Sequence, residues 1–205
     1  DEQTVQMNVL AAAKPVAKGF FDWAAERIPG ANRPALDYRV GSRLFRVSYQ
    51  SFFQVNRFLL EPLIEAALRD AEGYQALDLY AGVGLFTLPL TERFSRKVTA
   101  VEVVKSAAGD LTFNLERAGR EAAVVQQNVE TFLDAHRERP DFCLADPPRA
   151  GLGKDAVQQL LRIHPRRLTI VSCDPTTLAR DLKTLMAGGY SLLDAAAMDA
   201  VRRWR

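Results

Sequence analysis

Short apolar runs alternate with segments of helical periodicity over most of this chain, and this alternation restricts the fold more than any other feature. Six runs fit strands, at residues 76–80, 97–101, 122–126, 142–145, 168–172 and 190–195. Helical patterns fill the intervals, including residues 107–118 and 155–163. Strands that are separated by helices of this length pair in parallel through right-handed crossovers. The sequence therefore predicts an α/β fold with a mostly parallel sheet.

The first part of the chain follows a different pattern. Apolar side chains with approximate helical spacing precede Pro29-Gly30, which predicts the end of a helix; they are Phe20, Phe21, Trp23, Ala24 and Ile28. Residues 36–40 and 44–49 alternate apolar with polar around Gly41-Ser42, which fits the two-residue turn of a β-hairpin. A helix over residues 57–71 follows. We therefore expect a small α+β piece before the parallel sheet.

Composition excludes several classes of protein. The 205 residues suit one large domain, and a net charge of +2 gives no electrostatic argument about nucleic acid. The sequence contains no apolar run of membrane-spanning length, and its first residues do not resemble a signal peptide. Two cysteines, Cys143 and Cys173, are too few for a disulfide framework, a four-ligand metal site or an iron–sulfur cluster. We expect a reduced, cytoplasmic protein without a metal.

A glycine turn follows the first strand of the predicted parallel sheet. Residues 77–84 read Leu-Asp-Leu-Tyr-Ala-Gly-Val-Gly, and glycines there allow a sharp turn and the close approach of a ligand. Glu102, at the end of the next strand, can accept hydrogen bonds from both hydroxyls of a ribose. Thr87 stands where a dinucleotide fingerprint has its third glycine. Because Asp78 suits a ligand with a cationic amino group, the combination predicts S-adenosylmethionine rather than a plain turn without ligand.

Two further residues are placed near this ligand. Asn128 follows the third strand and can reach the adenine, although an asparagine at such a position is by itself more often a helix cap. Asp146-Pro147-Pro148-Arg149 follows the fourth strand, and its two prolines predict a stiff loop. Methyltransferases that modify exocyclic amines carry an aromatic residue where this chain has Arg149. That arginine therefore indicates a different reaction, unless it is only a surface side chain.

Cys173 stands where the fifth strand should end and a helix should begin. A lone cysteine near a strand end is usually a small buried apolar residue, which describes Cys143 well. Cys173 differs because a helix N-terminus favours negative charge, and Asp174 with Thr176 or Thr177 fits the cap of that helix. A thiolate beside a methyl donor suggests methylation of a carbon that is not nucleophilic by itself. The C5 atom of uracil is such a carbon, and addition of the thiolate to C6 makes it nucleophilic.

Together these segments resemble the RNA uracil-C5 methyltransferases, the family that makes 5-methyluridine in tRNA and ribosomal RNA. The resemblance covers roughly residues 45–199 and rests on five segments in the same order. They are residues 51–56 (Ser-Phe-Phe-Gln-Val-Asn), 77–86, 101–102, 146–152 and 172–182. The resemblance implies a Rossmann-like S-adenosylmethionine-dependent fold and an RNA partner whose target uridine is flipped out.

The motifs and the resemblance together give a set of expected site residues. Those expected to bind the cofactor are Gln54, Tyr80, Asp78, Gly82, Gly84, Glu102, Asn128 and Asp146. Cys173 is the expected nucleophile, and the expected substrate contacts are Arg149, Asp146 and Phe53.

The family's general base is a glutamate in a segment that reads roughly Asp-x-Phe-Pro-x-Thr-x-His-x-Glu after the last predicted strand. Asp199 can match its first position, but residues 200–205 do not continue the pattern. We therefore expect a chain that is truncated at both ends and a sheet that lacks its last strand. Residues 1–50 are interpreted as the remnant of a central, RNA-facing domain and residues 51–205 as an incomplete methyltransferase domain. An open sheet edge predicts marginal stability or association through that edge.

Three functions remain open from the sequence. The chain can be a piece of an enzyme that methylates C5 of a uridine in rRNA or tRNA. It can instead lack a base, and then either bind RNA without reaction or trap it as a covalent adduct. The third alternative is a small-molecule or protein methyltransferase that shares only the cofactor fold.

Overall fold

The computed structural model describes residues 18–28, 35–54 and 56–195. Its strands are β1 (Ala35–Val40), β2 (Arg43–Ser48), β3 (Gln75–Leu79), β4 (Lys97–Val101), β5 (Ala123–Val125), β6 (Phe142–Ala145) and β7 (Arg167–Ile170). Five of them form a parallel sheet in the order β5-β4-β3-β6-β7. The predicted α/β fold with a mostly parallel sheet is therefore confirmed.

The described residues form seven α-helices, of which the third to the sixth connect successive strands of this sheet. They are α1 (Lys18–Arg27), α2 (Leu60–Ala67), α3 (Thr87–Arg93), α4 (Lys105–Arg117), α5 (Val129–Ala135), α6 (Gly153–Ile163) and α7 (Pro175–Ala187). The helix expected over residues 57–71 is shorter, because a 3-10 turn (Arg57–Leu59) comes first and α2 ends at Ala67. Within the described residues, no helix is both long and apolar enough to cross a membrane.

The strand predicted at residues 190–195 is wrong, because the described residues there form no strand. The end of α7 explains the difference. Gly189 has a φ of 106°, its amide donates to the carbonyl of Met186 at 3.2 Å, and the Tyr190 amide donates to the carbonyl of Leu185 at 3.1 Å. These two bonds are those of a Schellman motif, which closes a helix with a left-handed glycine. Tyr190 is thereby held at the helix end, where its ring stacks on His164 at 4.8 Å.

The outer edge of β7 borders a cavity of about 550 Å³. Among the described residues, β7 pairs with β6 and with no other strand. The cavity is lined by residues of α2, β7 and α7 and by residues 190–195, and it includes Cys173. Association through this edge stays a prediction.

The hairpin of β1 and β2 is confirmed, with its turn at Gly41-Ser42 and strand register from Ala35 opposite Ser48 to Val40 opposite Arg43. It packs on α4 and buries Phe45 completely in the core that lies on one face of the parallel sheet. The division into domains at residues 50 and 51 stays a prediction.

Two buried polar residues of α4 hold the hairpin. The Asp110 carboxylate accepts bonds from the Ser48 amide at 2.7 Å and from the Ser48 and Ser51 hydroxyls at 2.8 and 2.7 Å. Arg46 Nε lies 3.1 Å from the same carboxylate, as an ion pair without the alignment of a hydrogen bond. Asn114 Nδ2 donates to the carbonyls of Arg46 and of Val83, which precedes the second glycine of the turn. The hairpin is therefore tied to α4 and, through Asn114, to the glycine turn.

The carboxyl ends of the central strands lie level with one another. Leu79 of β3 pairs with Val101 of β4 on one side and with Ala145 of β6 on the other, and Ala145 pairs with Ile170 of β7. All of these strands are parallel, so the residues that follow them meet at one edge of the sheet. Ligands of open α/β sheets bind at this edge.

Candidate active site

The glycine turn after β3 is built from left-handed residues. Tyr80, Gly82 and Gly84 have φ values of 61°, 55° and 95°. A Cβ atom on Gly84 would lie 2.5 Å from Cδ1 of Leu111, so the turn packs directly against α4. A Cβ atom on Gly82 would meet nothing within 4 Å, so the backbone at Gly82 faces open space. One glycine therefore serves packing, and the other leaves room for a ligand.

Glu102 connects the turn to the end of β4. Its Oε2 accepts the Gly82 amide at 2.8 Å and its Oε1 accepts the Val104 amide at 2.7 Å. The side chain is nearly buried, with 8% of its surface exposed. Each carboxylate oxygen has a second lone pair that can still accept a hydroxyl. The arrangement agrees with a ribose site but also fixes the loop by itself.

Asp78 lies below the turn and is fully buried. Its Oδ2 accepts the Thr87 hydroxyl at 2.5 Å, whereas its Oδ1 has no hydrogen-bond partner. Burial raises the pKa of this carboxyl to about 7, the Thr87 bond opposes the rise, and the charges of Asp146 and Glu102 add to it. A buried carboxyl with an unpartnered oxygen is costly in its ionised form. A cation that binds near Asp78 would therefore lower its pKa and favour the ionised carboxylate.

The side chains of Asp146 and Gln54 are hydrogen-bonded to each other. Gln54 Nε2 donates to Asp146 Oδ2 at 3.3 Å, and the Asp146 amide donates to the carbonyl of Leu79 at 3.3 Å. Burial raises the pKa of Asp146 to about 6, and the bond from Gln54 opposes the rise. The contact brings residues 92 positions apart into one site.

Asn128 is a helix cap. Its Oδ1 accepts the amides of Glu130 and Thr131 at 2.9 and 3.3 Å, and its side chain is exposed at the start of α5. The cap uses the oxygen and leaves the Nδ2 group as a donor. Contact with an adenine stays a prediction.

The predicted substrate residues differ in exposure. Phe53 packs into the core, with ring centroids 4.9 Å from Tyr38 and 5.9 Å from Phe45. Its neighbour Phe52 is 71% exposed. Arg149 is exposed in the loop after β6. Of the two phenylalanines, burial therefore favours Phe52 over the predicted Phe53 as a surface for a substrate.

Cys173 is exposed, and Cys143 is completely buried in β6. Burial raises the pKa of the Cys143 thiol far above its ordinary range. Cys173 comes three residues after β7 ends, and Asp174 caps α7 by accepting the amides of Thr176 and Thr177 at 2.8 and 3.1 Å. The expected burial of Cys143 is confirmed, whereas the role of Cys173 as a nucleophile stays a prediction. The exposed Cys173 thiol follows β7 at the same sheet edge as the glycine turn.

Two buried groups of the site were not predicted as site residues. The Thr87 hydroxyl donates to Asp78, but in the sequence Thr87 stands out only because it replaces the third glycine of a dinucleotide fingerprint. Asp181 of α7 is 4% exposed and accepts the Leu152 amide at 2.8 Å. An acidic residue on the apolar side of an amphipathic helix was the available signal for Asp181.

Comparison with known proteins places the chain in a family. A family model described as tRNA (Uracil-5-)-methyltransferase matches residues 34–200. An uncharacterized RNA methyltransferase of Aquifex aeolicus is 38% identical over 157 residues, which are 75% of this chain and 36% of that protein. One of Streptomyces coelicolor is 35% identical over 203 residues, which are 95% of this chain and 44% of that protein.

A solved structure agrees with these matches. Pyrococcus abyssi tRNA (uracil-54, C5)-methyltransferase in complex with S-adenosyl-L-homocysteine superposes with a TM-score of 0.68 and 29% identity, over 75% of this chain and 38% of that one. This chain thus spans about two fifths of the length of such relatives. The match over residues 34–200 covers most of the sequence, and the chain therefore belongs to the tRNA (uracil-5-)-methyltransferase family.

Proposed function

We propose that this chain carries the catalytic core of an S-adenosylmethionine-dependent enzyme that methylates C5 of a uridine in RNA. The observation that carries the proposal is the exposed thiol of Cys173 at the sheet edge where the glycine turn and Glu102 also lie. Family membership and the complex of the Pyrococcus abyssi relative with S-adenosyl-L-homocysteine support the same reading.

The residues at this edge fit S-adenosylmethionine. Gly82 faces open space where a ligand can approach the backbone, and Glu102 has lone pairs for the ribose hydroxyls. The unpartnered carboxyl oxygen of Asp78 favours a cation close to it. The residues proposed to hold the cofactor are Gln54, Tyr80, Asp78, Gly82, Gly84, Glu102, Asn128 and Asp146. The cofactor, when bound, supplies an electrophilic methyl group.

Cys173 supplies the covalent step. Its thiolate adds to C6 of the uracil, a C6–S bond forms, and the electrons of the C5–C6 double bond move to give an enolate whose C5 is nucleophilic. C5 takes the methyl group, a base then removes the C5 proton, and the C6–S bond breaks to return the thiolate. The ring has to leave its stack for the thiol and the methyl group to reach it. Arg149, Asp146 and one of the rings Phe52 or Phe53 are proposed to hold it.

Trapping of the adduct tests this proposal. With 5-fluorouridine RNA and S-adenosylmethionine, C5 carries fluorine in place of the proton, so the C6–S bond to Cys173 should persist on a denaturing gel. Cys173→Ala should give no adduct. Cys143→Ala is the matched control, because that thiol is buried, and it should give the adduct at a similar rate. An adduct that persists in Cys173→Ala would refute the assignment of the nucleophile.

A second outcome concerns release of the product. The sequence after Tyr190 contains no glutamate to match the base that the resemblance implies. A chain that acts without such a base would attack and methylate uridine but retain the adduct, which is the alternative to full turnover. Incubation with ordinary uridine RNA separates the cases, since a trapped Cys173 adduct supports retention and rapid release of methylated RNA excludes it. Turnover of a small molecule or protein that survives Cys173→Ala would instead support a different methyltransferase.

A further inference from the structure

The helix that follows the nucleophile also binds the loop that follows β6. Asp181 Oδ2 accepts the Leu152 amide at 2.8 Å, and Asp181 Oδ1 accepts Nε and Nη2 of Arg180 at 3.0 and 2.8 Å. Nη2 of Arg180 also donates to the carbonyl of Ala150 at 2.8 Å. The Asp181 side chain is 4% exposed and both of its oxygens have hydrogen-bond partners, one of which, Arg180, is itself 55% exposed.

Two neighbouring contacts make this junction tighter. The Thr177 hydroxyl lies 3.2 Å from the carbonyl of Arg149, and Thr177 shares one helix face with Arg180 and Asp181 because they are three and four residues apart. Gly151 has a φ of 80°, and a Cβ atom there would lie 2.5 Å from Asp181 Oδ2 and 2.7 Å from Arg180 Nη2. Only glycine lets the loop approach the helix this closely.

We propose that Asp181 is a positioning residue that fixes the loop of residues 146–152 relative to Cys173. The loop begins with Asp146 and carries Arg149, and two prolines stiffen it between them. Since α7 starts two residues after Cys173, three side chains of this helix set how far the loop lies from the nucleophile; they are Thr177, Arg180 and Asp181, called the α7 clamp below. The inference rests on the proposed function, in which the target uracil lies between the loop and the thiol.

The expected loss of rate follows from how closely the Cys173 thiol and the uracil must be aligned for the C6–S bond to form. A misplacement of about 1 Å in a catalytic constellation can slow a reaction about 100-fold. Asp181→Ala removes the acceptor for the Leu152 amide and frees Arg180. We expect it to slow formation of the Cys173 adduct with 5-fluorouridine RNA by about 10- to 100-fold at saturating RNA and cofactor. Asp181 is not among the residues proposed to contact RNA or the cofactor, so any loss of affinity for either should be smaller than the loss of rate at saturation.

Milder variants separate positioning from loss of the fold. Asp181→Asn keeps a carbonyl oxygen for the Leu152 amide, and it should restore most of the adduct rate. Thr177→Val has nearly the same shape and removes a hydroxyl that lies 3.2 Å from the carbonyl of Arg149 and 3.2 Å from that of Asp174. It should slow the adduct about threefold or more. Asp155→Ala is the matched control, since Asp155 is an exposed acid in the first turn of α6, and it should leave the rate unchanged.

A distance measurement tests the clamp without RNA. Ala150→Cys adds an exposed thiol on the loop, and spin labels attach there and at Cys173, whereas Cys143 is completely buried and stays unlabelled. With the clamp intact we expect a narrow distribution of label distances, and Asp181→Ala and Thr177→Val should broaden it. A distribution that is unchanged in both variants, or folded Asp181→Ala with an adduct rate within twofold of the unmodified chain, would overturn the proposal. Absence of any adduct in the unmodified chain would refute the proposed function alone, because the distances still decide whether the clamp positions the loop.

Discussion

The buried carboxyl of Asp78 makes stability depend on pH in a direction that can be measured. Burial raises its pKa from 3.8 to about 7. The folded chain then holds this proton more tightly than the unfolded chain, so the contribution of Asp78 to the free energy of unfolding falls as the pH rises from about 4 to 7. Below pH 3.8 both states are protonated, and above pH 7 both are ionised. The difference between these limits corresponds to roughly 4 kcal/mol.

Asp78→Asn removes this titration while keeping an oxygen for the Thr87 hydroxyl. Its amide nitrogen takes the place of an oxygen that has no partner, which adds a cost that does not depend on pH. The test is therefore how the stability difference between the variant and the unmodified chain changes with pH, rather than its value at one pH. Urea unfolding at a series of pH values from 4.5 to 8 should show the variant gaining stability relative to the unmodified chain, by roughly 3 to 4 kcal/mol over the series. Asp146, whose pKa is raised to about 6, titrates in both proteins, and because its charge raises the pKa of Asp78, part of the difference reflects this coupling.

Thr87→Val is the control for the cause of this shift. The Thr87 bond lowers the pKa of Asp78, so its loss should move the titration to higher pH rather than remove it. A difference between Asp78→Asn and the unmodified chain that stays constant within about 1 kcal/mol from pH 4.5 to 8 would refute the assigned ionisation.

Three other predictions concern the hairpin and the glycine turn. Asp110→Ala should lower the free energy of unfolding by about 3 kcal/mol, since it removes a buried carboxylate and leaves its partly buried donors without an acceptor. Asp37→Ala, which removes an exposed ion pair, should cost less than about 1 kcal/mol by the same denaturant assay, and equal costs would contradict the burial argument. Gly84→Ala should cost about 1–3 kcal/mol through its clash with α4, and Gly82→Ala should cost less stability but weaken S-adenosylhomocysteine binding in calorimetry; the reverse order would refute the division of roles. At pH 7 the Asp78 carboxyl, whose pKa is about 7, is roughly half protonated. The cationic amino group of bound S-adenosylhomocysteine should favour the ionised carboxyl, so that binding releases roughly half a proton, measured by calorimetry in buffers of different ionisation enthalpy. Asp78→Asn should abolish this release.

Buried strands were predicted best from the sequence. The predicted bounds 97–101 and 142–145 agree with β4 and β6 residue for residue. Strands that are covered on both faces read as continuous apolar runs, which are hard to mistake for anything else over four or five residues. The strand expected at 190–195 rests on Leu192 and Leu193 between polar residues, and both are exposed, because left-handed Gly189 closes α7 and holds Tyr190 at its end. The Gly188-Gly189 pair in the sequence is a signal for the end of a helix, and the structure follows that signal rather than the strand pattern after it.

The grouping of the candidate site residues at one sheet edge was predictable where these residues follow strand ends. Glu102, Asp146 and Cys173 all come directly after predicted strands, and parallel pairing brings such positions to one edge. The contact made by Asp181 could not be predicted in the same way, because it is a hydrogen bond from the Leu152 amide, 29 residues away. Phe53 illustrates a further limit, since two adjacent aromatic residues look alike in sequence and only packing against Tyr38 assigns one of them to the core. Contacts between distant segments are not encoded in local patterns.

The mass of one peptide tests the central claim most directly. Trypsin releases residues 168–180, which contain Cys173, apart from the peptide that contains Cys143. After incubation with 5-fluorouridine RNA and S-adenosylmethionine, and digestion of the RNA, we expect this peptide to gain the mass of a 5-fluorouridine nucleotide plus one methyl group. A peptide of unchanged mass, or the same gain on the peptide with Cys143, would contradict covalent catalysis by Cys173.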